Sequence, residues 1–130
     1  MGPLWDNVLG YWKASLERPD KIFFMKFEEL KKDPVAMLKR VATFIGHPFT
    51  IDEENDGTVE GISRLCEFEN LSRLKVNKSG TTKTVIGELD NSMYFRNGAV
   101  DDWVNHLTPE MAQQIDDITR SKFHGTGLSF

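Results

Sequence analysis

The chain has 130 residues, with 16 lysines and arginines against 20 aspartates and glutamates, for a net charge of −4. This acidic balance argues against a general nucleic-acid binder and against a protein of anionic membrane surfaces, because both usually carry a basic excess. The single cysteine, Cys66, excludes an internal disulfide framework and a zinc site built from several cysteines.

Hydrophobic residues make up 39% of the chain and aromatic residues 11%, which is ordinary for a folded protein. This length predicts a single domain over residues 1–130 with a modest core. The apolar runs are far shorter than a membrane span, and no basic segment followed by an apolar run opens the chain. We therefore expect no membrane partner, no nucleic-acid partner and a cytoplasmic location.

The first predicted element is an amphipathic helix over residues 3–18. Pro3 is tolerated in its first turn, and Pro19 ends it. Apolar residues recur on one face of this helix at the helical period. They are Leu4, Trp5, Val8, Leu9, Trp12 and Leu16.

A short apolar run follows at residues 21–27, partly aromatic and preceded by a Pro-Asp turn. A run of this length is typical of a buried strand and is too short for an ordinary helix. We therefore predict one core strand at 21–27. Because a single strand cannot form a sheet, its partner strands are expected elsewhere.

The next elements are predicted to be helical. Residues 28–32 are polar and suit a single helical turn. Asp33 is a good N-cap and Pro34 a good first residue for a second helix, which Gly46 ends. A third helix is predicted over residues 58–65, where apolar residues recur at a spacing of three.

The C-terminal half begins with a predicted long loop at 75–93, where the periodicity fades among glycines and asparagines. Thr108 then begins the last helix. Its inner face is predicted to hold Met111, Ile115 and Ile118.

Residues 78–82, Lys-Ser-Gly-Thr-Thr, are similar to a phosphate-binding loop. Such a loop connects a buried strand to the start of a helix. No strand is predicted before this stretch, no helical stripe follows it, and the usual spaced first glycine is absent. An ordinary loop is the favoured interpretation.

The sequence gives little support for a metal site, because no histidine has a second histidine or a cysteine at ligand spacing. A catalytic base among the histidines stays open, since histidine suits that role near neutral pH. They are His47, His106 and His124. Cys66 has apolar neighbours and is predicted to be a buried small residue instead of a nucleophile.

The stretch at 94–103 places Arg96 and Gly98 close together between aromatic residues. Arginine offers a planar fork of donors that fits phosphate, and glycine lets backbone N–H groups approach a ligand closely. Two interpretations are open from these residues: a turn before a short helix, or a clamp for a nucleotide phosphate.

A family resemblance rests on stretches that follow one another along nearly the whole chain: residues 2–15, 24–30, 65–71, 76–80, 95–103 and 128–130. Each stretch is weak alone, but their order is highly specific. Together they resemble the C-terminal part of a plant cytosolic sulfotransferase of the flavonol and steroid type. The resemblance implies an α/β fold, the C-terminal portion of a P-loop-type sulfotransferase fold. It also implies an enzyme family that transfers a sulfuryl group from 3′-phosphoadenosine 5′-phosphosulfate (PAPS) to a hydroxyl.

The resemblance assigns the 3′-phosphate of PAPS to Arg96, Asn97 and Gly98, which match an Arg-Lys-Gly element of the family. Arg96 would supply the bidentate fork, and Gly98 the close backbone approach. Asn97 replaces a lysine, so one cation is lost while a neutral donor remains. Asp101 replaces a glycine, and a carboxylate there is unfavourable for anion binding.

Further positions match the adenine side of the cofactor site. Phe27 stands where the family usually has a tyrosine that contacts the adenine part, so a hydroxyl hydrogen bond is lost. Cys66 and Phe68 match positions that line the adenine pocket, and Phe68 is able to pack on the base.

The resemblance also implies that the phosphosulfate-binding loop, the general-base histidine, the catalytic lysine and a phosphate-binding arginine and serine lie upstream of Gly2. None of the three histidines matches the catalytic one, so no catalytic residue and no metal are assigned, and the chain alone is predicted to be inactive. The residues of the family's dimer motif are altered at Val104, Thr108, Pro109 and Gln113.

The partner implied for an intact relative is a small-molecule hydroxyl acceptor. Two alternatives are kept for this chain. One is a non-catalytic interaction protein that docks on a partner protein, and the other is a vestigial module that binds adenosine 3′,5′-bisphosphate (PAP).

Overall fold

The computed structural model describes residues 4–85 and 87–130. The described residues form two compact units. The first unit joins the residues up to Lys26 with Asp101–Phe130, and the second unit is Phe27–Val100. Pro3, predicted in the first turn of the first helix, lies outside the described residues. The single domain predicted over 1–130 stays a prediction.

The described elements are mostly helical, as predicted, with one small sheet. None of the described helices has the length and apolar character that crossing a bilayer requires. In chain order the elements are α1 (Leu4–Glu17), α2 (Phe27–Lys32), α3 (Pro34–Phe44), α4 (Ile51–Asn55), α5 (Thr58–Leu65), α6 (Phe68–Arg73), α7 (Lys75–Ser79), β1 (Thr81–Thr84), β2 (Gly87–Asp90), 3₁₀ helices at Asn91–Tyr94 and Asp102–Asn105, and α8 (Pro109–Phe123).

In the first unit, two tryptophans connect α1 to α8 and to the segment that follows it. The indole Nε1 of Trp5 donates to the hydroxyl of Thr119 at 2.9 Å. The indole Nε1 of Trp12 donates to the carbonyl oxygen of Thr126 at 2.9 Å. Tryptophan suits this position because its ring packs on apolar groups while its N–H finds an acceptor. The helix predicted over residues 3–18 is confirmed as α1, which ends one residue before Arg18.

The core of the first unit lies at the C-terminal end of α8, where Phe123 and Leu128 are buried. The predicted inner face of α8 is wrong, because Met111, Ile115 and Ile118 are 51%, 42% and 43% exposed. Periodicity shows which apolar residues share a face of a helix. Burial also needs a second element against that face, which a helical pattern cannot supply.

The prediction of a core strand at 21–27 is wrong. Residues 22–26 have no regular secondary structure, and Phe27 is the first residue of α2. A strand needs backbone hydrogen bonds to a neighbour, and the described sheet consists of β1 and β2. The aromatic side chains of the segment still pack, since the Phe24 ring meets the Trp12 ring edge-on at 5.3 Å between centroids.

The core of the second unit lies between α3 and α5. Met37 and Ala42 on α3 are buried, and Val59 on α5 is fully buried. The signals that predicted α3 are confirmed. The Asp33 side chain accepts a hydrogen bond from a backbone N–H of the first turn at 2.9 Å. Gly46 follows the helix with a φ of 82°, a conformation that glycine adopts without steric cost.

The long loop predicted at 75–93 is wrong, because this stretch contains α7, both strands and most of a 3₁₀ helix. β1 and β2 pair antiparallel, with Thr81 opposite Asp90 and Thr84 opposite Gly87. Thr81 also donates from its hydroxyl to Glu88 Oε1 at 2.5 Å. The strands escaped prediction because nearly all their residues are exposed, so no alternation of apolar and polar residues marks them.

The turn before α5 lowers the pKa of the Asp56 carboxyl. The hydroxyl of Thr58 donates to Asp56 Oδ1 at 2.6 Å, and the Thr58 N–H donates to the same oxygen at 2.9 Å. These bonds favour the charged carboxylate and hold the pKa of Asp56 below its ordinary value of 3.8, the hydroxyl contributing most. A lowered folded-state pKa gives stability that is present above the unfolded pKa and is lost as the pH falls through the folded one.

We therefore expect Thr58→Val to raise the pKa of Asp56 towards its ordinary value, since the variant loses the hydroxyl and keeps the backbone donor. A carbon-detected NMR titration of the carboxyl groups measures this change. Glu110 serves as an internal control, because its own pKa is lowered by its backbone N–H and by Thr108 in a different turn. An Asp56 carboxyl that titrates identically in both proteins would contradict the assignment.

Candidate functional site

The residues predicted to bind phosphate lie on a short segment near the end of the second unit. Residues 95–99 follow the 3₁₀ helix Asn91–Tyr94 and form neither helix nor strand. Arg96 and Asn97 are exposed on this segment. Gly98 is half-buried and adopts a φ of 67°, in the left-handed region that favours glycine.

Phe68, the first residue of α6, packs against two residues of this segment, Phe95 and Gly98. Its ring lies 5.7 Å from the ring of Phe95, centroid to centroid, at a tilt of 59°. A Cβ on Gly98 would come within 2.3 Å of Cδ2 of Phe68. No real side chain sits that close, so glycine is required at this position both by conformation and by space. The structure therefore brings together Phe68 and Gly98, two residues that the sequence analysis assigned to one cofactor site.

The predicted reason for the glycine differs from the observed one. The sequence suggested that Gly98 lets the backbone approach a ligand, whereas in the structure it lets the backbone approach the Phe68 ring. That contact places Arg96 and Asn97 between two ring-packed residues, Phe95 and Gly98. A segment held in this way loses less conformational freedom when it binds a ligand.

The donor chemistry of the segment fits a phosphate group. The Arg96 guanidinium presents paired N–H donors and a permanent positive charge, which match two phosphate oxygens. The Asn97 side-chain amide adds neutral donors. Both side chains are exposed, so an anion in solution can reach them.

The other predicted site residues lie in the same unit on different elements. Phe27 is the first residue of α2, is 46% exposed, and lies on a helix that packs on α3. Cys66 is exposed, which corrects the prediction that it is buried. It is the C-cap of α5, where its N–H bonds to the carbonyl oxygens of Ile62 and Ser63, so its backbone closes the helix while its side chain remains accessible.

The loop at 78–82 does not have the order of a phosphate-binding loop. Lys78 and Ser79 end α7, and Thr81 begins β1, so a helix precedes the strand. A phosphate-binding loop needs the reverse order, in which backbone N–H groups at a helix start point at the ligand. The interpretation that rejected such a loop is confirmed.

Within the described ranges, no group of three or more histidine, cysteine, aspartate or glutamate side chains is placed to hold a metal ion. His106 Nε2 lies 3.4 Å from Asp102 Oδ2 in the first unit.

Asp101 belongs to the first unit and has a φ of 63°, the only positive value among described non-glycine residues. The family resemblance expects glycine at this position, and the observed conformation gives a physical reason for that expectation. The Asp101 carboxylate accepts a hydrogen bond from the Trp103 indole at 3.3 Å. Aspartate tolerates left-handed backbone better than most residues because its short side chain can bond locally.

Two residues that support the candidate site were not predicted from the sequence. Phe95 is the ring partner of Phe68, and its position beside Arg96 was the available signal. Asn91 connects the 3₁₀ helix to α7 and β1 through its side chain. No sequence pattern marks Asn91, because its partners lie nine and fifteen residues earlier in the chain.

The chain matches a known protein family along nearly its whole length. A family model described as "Sulfotransferase domain" matches residues 1–127. The chain belongs to the sulfotransferase family, and the resemblance predicted from its sequence is confirmed.

Curated plant proteins are similar to nearly the whole chain. Flavonol 4′-sulfotransferase of Flaveria chlorifolia is 53% identical over 127 residues, which cover 98% of this chain and 39% of that protein. Flavonol 3-sulfotransferase of Flaveria bidentis is 50% identical, with 98% and 41% covered. Cytosolic sulfotransferase 15 of Arabidopsis thaliana is 46% identical, with 99% and 35% covered. The chain thus spans about two fifths of the length of these relatives.

A solved structure shows the same fold. Mouse sulfotransferase SULT7A1, crystallised in complex with PAP, matches with a TM-score of 0.69 at 24% sequence identity. The match covers 96% of this chain and 42% of the mouse chain. The predicted fold class, a portion of a sulfotransferase fold, is confirmed by this likeness.

Proposed function

We propose that this chain is the C-terminal part of a PAPS-dependent sulfotransferase. The enzyme transfers a sulfuryl group from PAPS to the hydroxyl of a small acceptor, such as a flavonol. The observation that carries the proposal is the Arg96–Asn97 pair, exposed on a segment that Phe68 and Gly98 hold in place, in a chain of this family. Relatives named cytosolic support a cytoplasmic location.

The role of this chain in the reaction is to bind and orient the cofactor. Arg96 holds the 3′-phosphate through its two-pronged fork, and Asn97 adds a neutral donor beside it. Phe68, Phe27 and Cys66 face the adenine side. When bound, PAPS would supply the sulfuryl group, and PAP would be the leaving group. Fixing one end of the cofactor lowers the entropy cost of aligning its reacting end with the acceptor.

The catalytic groups are proposed to come from the part of a sulfotransferase that this chain does not span. The matched relatives are about two and a half times as long as this chain. None of His47, His106 and His124 matches the family's general base, and a general base contributes about 10²–10⁴-fold to rate. The chain alone is therefore proposed to be inactive while still binding PAP.

Two measurements on the purified chain test this proposal. Calorimetry with PAP is expected to show saturable binding at one site, because this chain contains Arg96 and Asn97, the donors assigned to the 3′-phosphate. A turnover assay with PAPS and flavonol or steroid acceptors is expected to show no product. Saturable product formation would overturn the assignment of catalysis to groups outside the chain.

Absence of PAP binding would overturn the proposed cofactor role and would favour the interaction-protein alternative. One observation supports that alternative: large apolar side chains are widely exposed in the second unit, including Ile51 at 80% and Leu65 at 69%. Exposed apolar surface of this kind often marks a place where another protein binds.

A further inference from the structure

Asn91 forms hydrogen bonds to β1 and to α7, two elements that lie earlier in the chain. Its backbone N–H donates to the carbonyl oxygen of Gly80 at 2.9 Å. Its side-chain Nδ2 donates to the carbonyl oxygen of Val76 at 2.8 Å. Its Oδ1 accepts a hydrogen bond from the Thr82 hydroxyl at 2.5 Å. A single residue therefore ties the 3₁₀ helix to α7 and to β1.

Gly80 makes room for these bonds. A Cβ at this position would lie 2.2 Å from the carbonyl oxygen of Val76 and 2.8 Å from Nδ2 of Asn91. Both atoms belong to the hydrogen bond between Val76 and Asn91, so a side chain on residue 80 would displace it. The close fit shows that the Asn91 amide occupies a specific place instead of lying loosely on the surface.

These contacts belong to a closed chain of contacts that connects α7, α6 and the proposed phosphate segment. The Asn77 side chain on α7 donates to the carbonyl oxygen of Leu71 on α6 at 2.7 Å, which joins these two helices. α6 carries Phe68, which packs on Phe95 and Gly98. Residues 95–98 are therefore held by Phe68, while the 3₁₀ helix just before them is held by Asn91.

We propose that Asn91 is a positioning residue of the 3′-phosphate site, a role that rests on the function proposed above for Arg96. Asn91 fixes the helical turn that leads into the segment, so that Arg96 is presented in one place. Removal of the amide leaves the guanidinium intact but frees the turn before it. Ligand binding must then order that turn again, which weakens affinity without removing any group that touches the ligand.

The test compares Asn91→Ala with the wild-type chain by two measurements. Calorimetry with PAP is expected to show about tenfold weaker binding, the loss expected when two ordering hydrogen bonds disappear. Nuclear Overhauser spectra are expected to show a weaker cross-peak between the Gly98 α protons and the Phe68 ring. The methyl resonances of Val59, in the core between α3 and α5, are expected to stay unchanged.

Two neighbouring threonines provide matched variants. Thr82→Val removes the hydroxyl that bonds to Asn91 and is expected to reproduce part of both losses. Thr81→Val removes a hydroxyl that bonds at the same distance, 2.5 Å, to Glu88. Because Thr81 and Thr82 are adjacent and exposed in β1, Thr81→Val controls for damage to the hairpin and is expected to leave both measurements unchanged.

The outcomes separate the positioning role from the cofactor role. Unchanged PAP affinity in Asn91→Ala, or equal effects of the two threonine variants, would overturn the positioning role. A wild-type chain that binds no PAP would overturn the cofactor role. The positioning of the segment by Asn91 would then be tested by the Gly98–Phe68 cross-peak alone: a weaker cross-peak in Asn91→Ala supports it, and an unchanged one overturns it. If Asn91→Ala also changes the Val59 methyl signals, the variant has damaged the core of the unit. The positioning role is then judged from Thr82→Val against Thr81→Val: weaker PAP binding in Thr82→Val alone supports it, and equal effects overturn it.

Discussion

Gly98→Ala is expected to lower the free energy of unfolding of the second unit by about 2–4 kcal/mol, combining left-handed strain with overpacking. The backbone at Gly98 has a φ of 67°, and its added Cβ would lie 2.3 Å from the Phe68 ring. Either the ring or the segment must move, and movement of the segment displaces Arg96. Urea unfolding measures the stability change, and calorimetry with PAP measures the change at the site.

Gly57→Ala is the matched control for backbone strain. Gly57 has a similar φ of 83° in the same unit, but a Cβ there would have nothing within 4 Å. Gly57→Ala is expected to lower the free energy of unfolding by about 1–2 kcal/mol, from left-handed strain alone. The double variant Phe68→Ala with Gly98→Ala isolates the clash, because removal of the ring relieves it. If Gly98→Ala and Gly57→Ala lower the free energy of unfolding equally, the clash with the Phe68 ring contributes nothing to the effect at Gly98.

Arg96→Ala is expected to weaken PAP binding by about thirty- to hundredfold, equivalent to about 2–3 kcal/mol for charge-assisted hydrogen bonds to a phosphate. The physical reason is that alanine removes both the permanent charge and the paired donors. The PAP affinity of Arg96→Lys is expected to lie between those of the wild type and Arg96→Ala. Lysine keeps the positive charge but lacks the planar pair of donors. Calorimetry of the three chains at one salt concentration measures the series.

Arg73→Ala is the control for loss of one positive charge in the same unit. Arg73 forms an exposed ion pair with Glu69 on α6, at 3.0 Å, and such surface pairs contribute little. Arg73→Ala is expected to leave the affinity for PAP within about twofold of the wild type, a change of about 0.4 kcal/mol. If Arg73→Ala and Arg96→Ala weaken binding equally, net charge and not a specific site accounts for the affinity.

Much of the helical structure could be predicted because its signals are local. Asp33, Pro34 and Gly46 each act within one turn of the backbone, and α3 begins and ends where they indicate. The apolar period of α1 predicted that helix for the same reason. The hairpin of β1 and β2 escaped because its residues are exposed on both faces and leave no apolar alternation to detect.

By itself, the sequence determined the class of this protein and the chemistry available to its site. The order of its stretches identified the sulfotransferase family, and Arg96 and Asn97 defined the donors. Only the tertiary structure decided what holds those donors. The Phe68 ring meets Gly98 from thirty residues away, and the segment at 22–26 forms no strand in the absence of a paired neighbour. Both results depend on contacts between distant parts of the chain, which local residue preferences do not encode.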